Sequence, residues 1–262
     1  MGRARWAALL LACLAALAGA DAPTPSVEPS DPARSDGANL PRVSLLLEAW
    51  QPPDIVGEGW RVLPPKTPAG EVVREQGGLW SLEVPYDAGG ELRTVPGADP
   101  APREADRVLR VRVEVERGLG VNGVEFARQV LGTLNDPRGW GHDGSVAFAR
   151  TDGAADIDLT LASPATTDAL CAPVDTGGRV SCGRVGYAVL NAERWAHGAE
   201  PFLAAGGTVA EYRHYLVNHE VGHVLGNPHV RCPGPGTVAP VMVQQTLGLD
   251  GCRPNGWPGE GG

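Results

Sequence analysis

His219-Glu-Val-Gly-His-Val-Leu-Gly-Asn-Pro-His229 sets two histidines four residues apart and a third six residues further on. On an α-helix, positions i and i+4 lie one above the other, so His219 and His223 can turn both imidazoles toward a single ion. Glu220 projects beside them, placed to act on water at that ion rather than to bind it. His229 is too far along to ligate from the same straight helix, so the chain must stop and turn back. Gly226 supplies the stop, because glycine takes the left-handed conformation that ends helices at little steric cost. Pro228 then disfavours resumption of the helix. Three neutral imidazoles around one zinc ion leave a fourth position for water, the pattern of a catalytic rather than a structural zinc. The competing reading is a helix with surface histidines. The chain holds six histidines, and a chance match to all five fixed positions is on the order of one in ten thousand.

Upstream of this string, Thr208-Val-Ala-Glu211 is a capping-box signature that opens the helix carrying His219 and His223. Further upstream, Arg107 to Arg117 alternates apolar and charged residues and reads as a half-buried strand. Asn122 is positioned to cap a helix over Gly123–Leu134, with Val124, Phe126, Ala127, Val130, Leu131 and Leu134 on its apolar face. Pro137-Arg-Gly-Trp140 closes that helix. Ser145–Ala149, Ile157–Leu161 and Gly186–Asn191 read as strands. Loops and turns follow Gly226. Val43–Leu47, Trp60–Leu63 and Leu79–Val84 are short apolar pieces among Pro and Gly, which argues for short strands or an irregular segment.

The first twenty residues form a secretory signal. Arg3 and Arg5 make its positive region, Trp6 to Leu17 its apolar core, and Ala18-Gly-Ala20 its cleavage site. The apolar run is too short for a stable membrane span. A lipoprotein reading at Cys13 is disfavoured, since that cysteine sits inside the apolar run. The mature chain is therefore expected to be secreted. Residues 21–41 read as a flexible Pro/Ser/Asp-rich tether. Residues 42–92 read as an N-terminal extension or a pro-segment; they hold no cysteine, so a thiolate latch onto a metal is excluded. Removal of the signal leaves Cys171, Cys182, Cys232 and Cys252, and an even count in an exported chain reads as two disulfides. Three pairings are possible, of which sequence proximity favours Cys171–Cys182 and Cys232–Cys252. The formal charge is −9 and Lys66 is the sole lysine, with no basic patch, which argues against nucleic-acid binding and against adhesion to anionic membranes.

The string from His219 to His229 resembles the long zinc-binding consensus of the metzincin metallopeptidases. Asn218-His-Glu-Val-Gly-His223, Ala239-Pro-Val-Met242, Gln244-Gln-Thr246 and Asn255-Gly-Trp-Pro258 look like an uncharacterised family of secreted actinobacterial proteins with a zincin-like core. The resemblance implies an α+β, zincin-like fold: a twisted mixed β-sheet, an active-site helix and a methionine turn. Its catalytic domain would span 93–258. It also implies that Met242 forms an apolar floor beneath the histidines. Some metzincins carry a tyrosine two residues after that methionine; Gln244 stands there, so no tyrosine role carries over.

The function these residues imply is that of a secreted zinc-dependent metalloendopeptidase. It would hold one zinc ion on His219, His223 and His229, with Glu220 as general base toward zinc-activated water. An extended peptide or protein substrate along the outermost strand is what the resemblance implies, and a monomer is expected. Two alternatives stand beside it: an exported, non-proteolytic zinc-binding protein of the cell envelope, and a zinc amidase acting on non-protein amides. The intact Glu220 disfavours the first, since a pure binding site needs no base. Each imidazole also needs an acceptor for its other nitrogen, and Asn218 or a backbone carbonyl can supply one. His214 falls on another helix face and reads as a surface residue; His142 and His197 have no ligand spacing. Asp152, Asp156 and Asp158 fit no calcium loop.

Overall fold

A computed structural model describes residues 76–260. The signal with Cys13, the tether, and the pieces Val43–Leu47 and Trp60–Leu63 lie outside the described residues, as do the other positions before residue 76. The chain is α+β with a six-stranded mixed sheet. Its strands are β1 (Leu92–Thr94), β2 (Arg107–Glu116), β3 (Val146–Arg150), β4 (Ile157–Ala162), β5 (Cys182–Arg184) and β6 (Tyr187–Asn191). Its α-helices are α1 (Gly123–Leu134), α2 (Pro164–Cys171), α3 (Ala192–His197), α4 (Glu200–Ala204) and α5 (Val209–Val224).

β2 organises the sheet. One side of it pairs in parallel with β4; the other pairs in parallel with β3 and, further along, antiparallel with β1. Beyond β4, β6 adds in parallel and β5 closes that edge antiparallel. The period-two pattern of β2 does what alternation requires. Val111, Val113 and Val115 enter the core. Arg112, between them, takes the opposite face, where it reaches Asp158 at 2.9 Å. Glu114 accepts there from the hydroxyls of Thr94 and Thr160.

α1, α3, α4 and α5 pack on the face of Val111, Val113 and Val115, whereas α2 packs on the other, against Ala162 and Val189. Asn122 caps α1 through its side chain, which accepts from the Glu125 amide, and Phe126, Ala127, Val130 and Leu134 are buried. Val124 is exposed and Leu131 only partly covered, so the buried stripe is narrower than the sequence pattern predicts. Asn135 then ties the end of α1 to β3, donating to the Phe148 carbonyl and accepting from its amide. α5 opens on the complete capping box of Thr208 and Glu211 and runs through the core, buried almost continuously from Tyr215 to Gly222. It packs against β5, β6, α1 and α3. Because it is covered on nearly every side, its polar residues need internal partners.

Leu79–Val84 forms no strand; Leu79 makes single bridges to Gln76 and Val121, and its side chain joins the main core. The Trp195 indole, edge-on to Phe126 at 5.0 Å, donates to the Gly77 carbonyl at 2.6 Å. Both disulfides have the proximal pairing, Cys171–Cys182 and Cys232–Cys252. No helix among the described residues is long and apolar enough to cross a membrane.

Candidate metal centre

α5 and the turn that follows it bring three imidazoles together. His219 and His223 stand one turn apart, and the helix ends at Leu225 with Gly226 at φ 94°. The Gly226 amide donates to the His223 carbonyl and the Asn227 amide to the Gly222 carbonyl, the paired closing bonds of a Schellman end. That reversal returns His229 over the helix. Its Nε2 lies 3.2 Å from His219 Nε2 and 2.9 Å from His223 Nε2. One ligand atom from each of the three falls within 4.8 Å of the others.

The far nitrogens fix what the near ones present. His219 Nδ1 donates to the Val241 carbonyl at 2.8 Å, and His223 Nδ1 to the Asn227 carbonyl at 2.9 Å. A carbonyl only accepts, so each Nδ1 carries the proton and each Nε2 offers a lone pair. Two lone pairs therefore face the third imidazole, an arrangement that a shared cation relieves. Zinc–nitrogen bonds of ~2.05 Å in a tetrahedron separate ligand nitrogens by about 3.3 Å, close to what is seen. The donor set fits a divalent metal ion. Burial holds the imidazoles in the neutral form that ligation needs: it pushes His219 down to about 3 and lowers His223 and His229. Glu220 follows His219 on the same helix and is buried, which pushes its carboxyl up to about 8.

Residues 81–255 match the family model described as "Protein of unknown function (DUF3152)". The chain belongs to the DUF3152 family. No curated protein and no solved structure matches it. In this DUF3152 chain the matched stretch takes in the three histidines, Glu220, Met242 and both disulfides.

Glycines set how closely the surroundings approach. A Cβ at Gly222, between Glu220 and His223, would collide with Met242 Sδ and lie 2.7 Å from Trp140 Cζ2. Its absence lets the buried Met242 and the Trp140 ring lie directly against the helix. Trp140 is fixed there by its indole, which donates to the Asn218 carbonyl at 2.9 Å. On β5, a Cβ at Gly183 would overlap the Glu220 backbone, so this edge strand runs in contact with α5 beside the histidines. Cys171–Cys182 secures the start of β5. Cys232–Cys252 closes a loop that begins three residues after His229, and the Val230 amide donates to the Met242 carbonyl at 3.1 Å.

Several side chains read from the sequence serve elsewhere. Asn218 does not support an imidazole; its amide donates to the Gly256 carbonyl at 2.8 Å, and backbone carbonyls hold His219 and His223. His214 is half-buried rather than a surface residue, bonded to Thr133 Oγ1 at 2.9 Å and packed on Trp257. His142 reaches the Gly139 carbonyl and His197 the Leu82 carbonyl. Asp156 pairs with Arg110, Asp158 with Arg112, and Asp152 accepts from the Gly97 amide. Gln244 is exposed. Nothing in the sequence pattern points to Tyr215, whose ring lies 5.1 Å from that of His219, nor to the close approach of Gly183 to the Glu220 backbone. The signal available for Gly222 was its place inside the histidine string, where a small residue leaves room over the helix.

Proposed function

We propose that this chain is an exported zinc-dependent metalloendopeptidase with a zincin-like catalytic core. The observation that carries the reading is the convergence of three imidazole Nε2 atoms beside a buried glutamate on one helix. His219, His223 and His229 hold the zinc, and Glu220 is the general base. Bound there, zinc supplies a Lewis acid that polarises the scissile carbonyl and acidifies water. Glu220 takes the proton from water as its oxygen attacks the carbonyl carbon. It then delivers that proton to the departing amine as the C–N bond breaks. Burial alone raises its pKa, while a neighbouring cation favours the ionised form; the two effects oppose each other around neutrality.

Met242 beneath Gly222 serves as the apolar floor of the centre. β5 is the antiparallel edge strand nearest the helix, and an extended peptide adding to that edge would pass alongside Glu220. The two disulfides fit an oxidising, extracellular setting, the setting that the export signal expected from the sequence also implies.

The test incubates the mature protein with an unbiased peptide mixture, with and without a strong zinc chelator, alongside Glu220→Gln and a panel of non-peptide amides. Wild type should cleave peptides, lose cleavage with chelator, and carry one zinc per chain; Glu220→Gln should keep the zinc and lose cleavage. Identical product profiles from wild type and Glu220→Gln would overturn the peptidase reading, and cleavage of the non-peptide amides alone would replace it with the amidase. Absence of bound zinc at neutral pH would overturn both.

A further inference from the structure

Val241 and Met242 sit in a tight turn, residues 239–245, closed by a hydrogen bond from the Val243 amide to the Pro240 carbonyl. The Val241 carbonyl faces His219 and Met242 lies against Gly222. One residue outside the turn holds both of its ends. The Asn255 side-chain amide donates to the Ala239 carbonyl at 2.9 Å and to the Trp257 carbonyl at 2.8 Å, while its oxygen accepts from the Trp257 amide. At the other end, Gln245 embraces the Asn255 backbone: its amide donates to the Asn255 carbonyl at 2.7 Å and its oxygen accepts from the Asn255 amide at 2.9 Å. Gln245 is fully buried and Asn255 nearly so. A carboxamide that meets both backbone groups of one residue fixes distance and orientation together, as a strand pair does.

The helix is joined to the same turn. Tyr215 donates its hydroxyl to the Val243 carbonyl at 3.2 Å and accepts from the Gln245 amide at 3.0 Å, while its ring packs on His219. Asn218 binds the Gly256 carbonyl next to Asn255. Residues from three separate segments of the chain thus enclose the turn that orients His219. We infer that Gln245 and Asn255, coupled through Tyr215, are positioning residues: they hold the Val241 carbonyl where it keeps His219 in the Nδ1-protonated form, with Nε2 free to ligate.

This inference rests on the metal-centre reading proposed above, and its test separates the two. In metal-free, 15N-labelled protein, imidazole resonances report the His219 tautomer and the exchange of its Nδ1 proton. Titration with Co2+ then reports affinity and coordination geometry through its visible absorption. Wild type should show a slowly exchanging Nδ1 proton and one tetrahedral Co2+. Gln245→Ala and Asn255→Ala should lose the slow exchange and bind Co2+ about 10- to 100-fold more weakly, as lost support for a ligating imidazole does. Tyr215→Phe, which keeps the ring and loses the hydroxyl, should fall between and serve where the alanine variants do not fold. Folded variants with wild-type His219 resonances and wild-type Co2+ affinity would overturn the inference, leaving these residues a stabilising role alone. A wild type that holds the tautomer but takes up no metal would overturn the metal reading while the positioning of His219 stands.

Discussion

Gly183 of β5 and Glu220 of α5 pass so closely that no side chain fits between them: a Cβ on Gly183 would overlap the Glu220 backbone carbonyl. Backbone against backbone is the tightest packing an edge strand and a helix can adopt. It fixes the distance between the proposed general base and the proposed substrate edge. Gly183→Ala should force β5 away from α5. Overpacking of this kind costs about 1–3 kcal/mol, which a lowered midpoint of thermal unfolding would reveal. Peptide cleavage should fall further than stability does, while zinc stoichiometry stays at one. An alanine variant with wild-type unfolding and turnover would show that the strand is free to shift.

Glu220 gives a prediction for the metal-free protein. Burial raises its carboxyl from 4.5 to about 8, so the folded state keeps a proton that the unfolded chain releases. Below about pH 4.5 the group is neutral in both states and contributes nothing to stability. As pH rises toward 8 the folded state binds the extra proton, and stability declines along that interval before levelling off. Glu220→Gln cannot ionise, so it should stabilise the metal-free fold by on the order of 2–4 kcal/mol near pH 7, and by almost nothing near pH 4. Saturating zinc should shrink the difference, since a nearby cation favours the carboxylate. Denaturant unfolding of both proteins at the two pH values is the measurement. A wild type as stable as the variant at neutral pH would mean that the carboxylate finds a compensating partner.

Much of this architecture was legible because local signals specify it. Asn122, the Thr208–Glu211 box and the alternation of β2 each act through neighbours in sequence, so their elements appear within a residue or so of where the pattern places them. The proximal cysteine pairs follow the same logic. β5 is different. Its three residues become a strand through pairing with β6 and packing on α5, neither of which three residues can announce. The short helices α2, α3 and α4 have too few turns to display a period. The Val241 and Asn227 carbonyls that orient the histidines are backbone atoms, and any residue type carries them. Val124 lies outward on α1 because only a narrow stripe of that helix meets the core.

The histidines give a prediction for how a metal held by them would respond to acid. Burial lowers all three, His219 to about 3, so protons compete for the ligands at lower pH than they would for free imidazoles. Zinc release should therefore fall at a lower pH than the ordinary histidine value of about 6.5. The sign for folding agrees: depressed histidines bind protons preferentially in the unfolded chain, so stability is retained above about pH 6.5 and declines as pH falls through that value. Zinc content after equilibrium dialysis across a pH series is the check. Release complete by about pH 6.5 would show that the imidazoles are solvated as ordinary surface groups are.

The two disulfides should fail in different ways, because they hold different parts of the centre. Cys232–Cys252 closes the loop that contains Met242 and starts three residues after His229. Replacing both cysteines by serine should cost about 2–4 kcal/mol through the freed loop, and should also weaken zinc binding if the proposed centre is correct, since His229 and Met242 lose their brace together. Cys171–Cys182 secures instead the first residue of β5. Its double serine variant should be destabilised to a similar degree, yet keep zinc affinity and lose turnover, because the edge strand beside Glu220 is released while all three histidines stay anchored on α5 and its closing turn. Zinc affinity and peptide turnover measured on both variants, at a temperature where each is folded, distinguish the cases. Equal losses of zinc affinity in the two would mean that the metal centre and the edge strand form one mechanical unit.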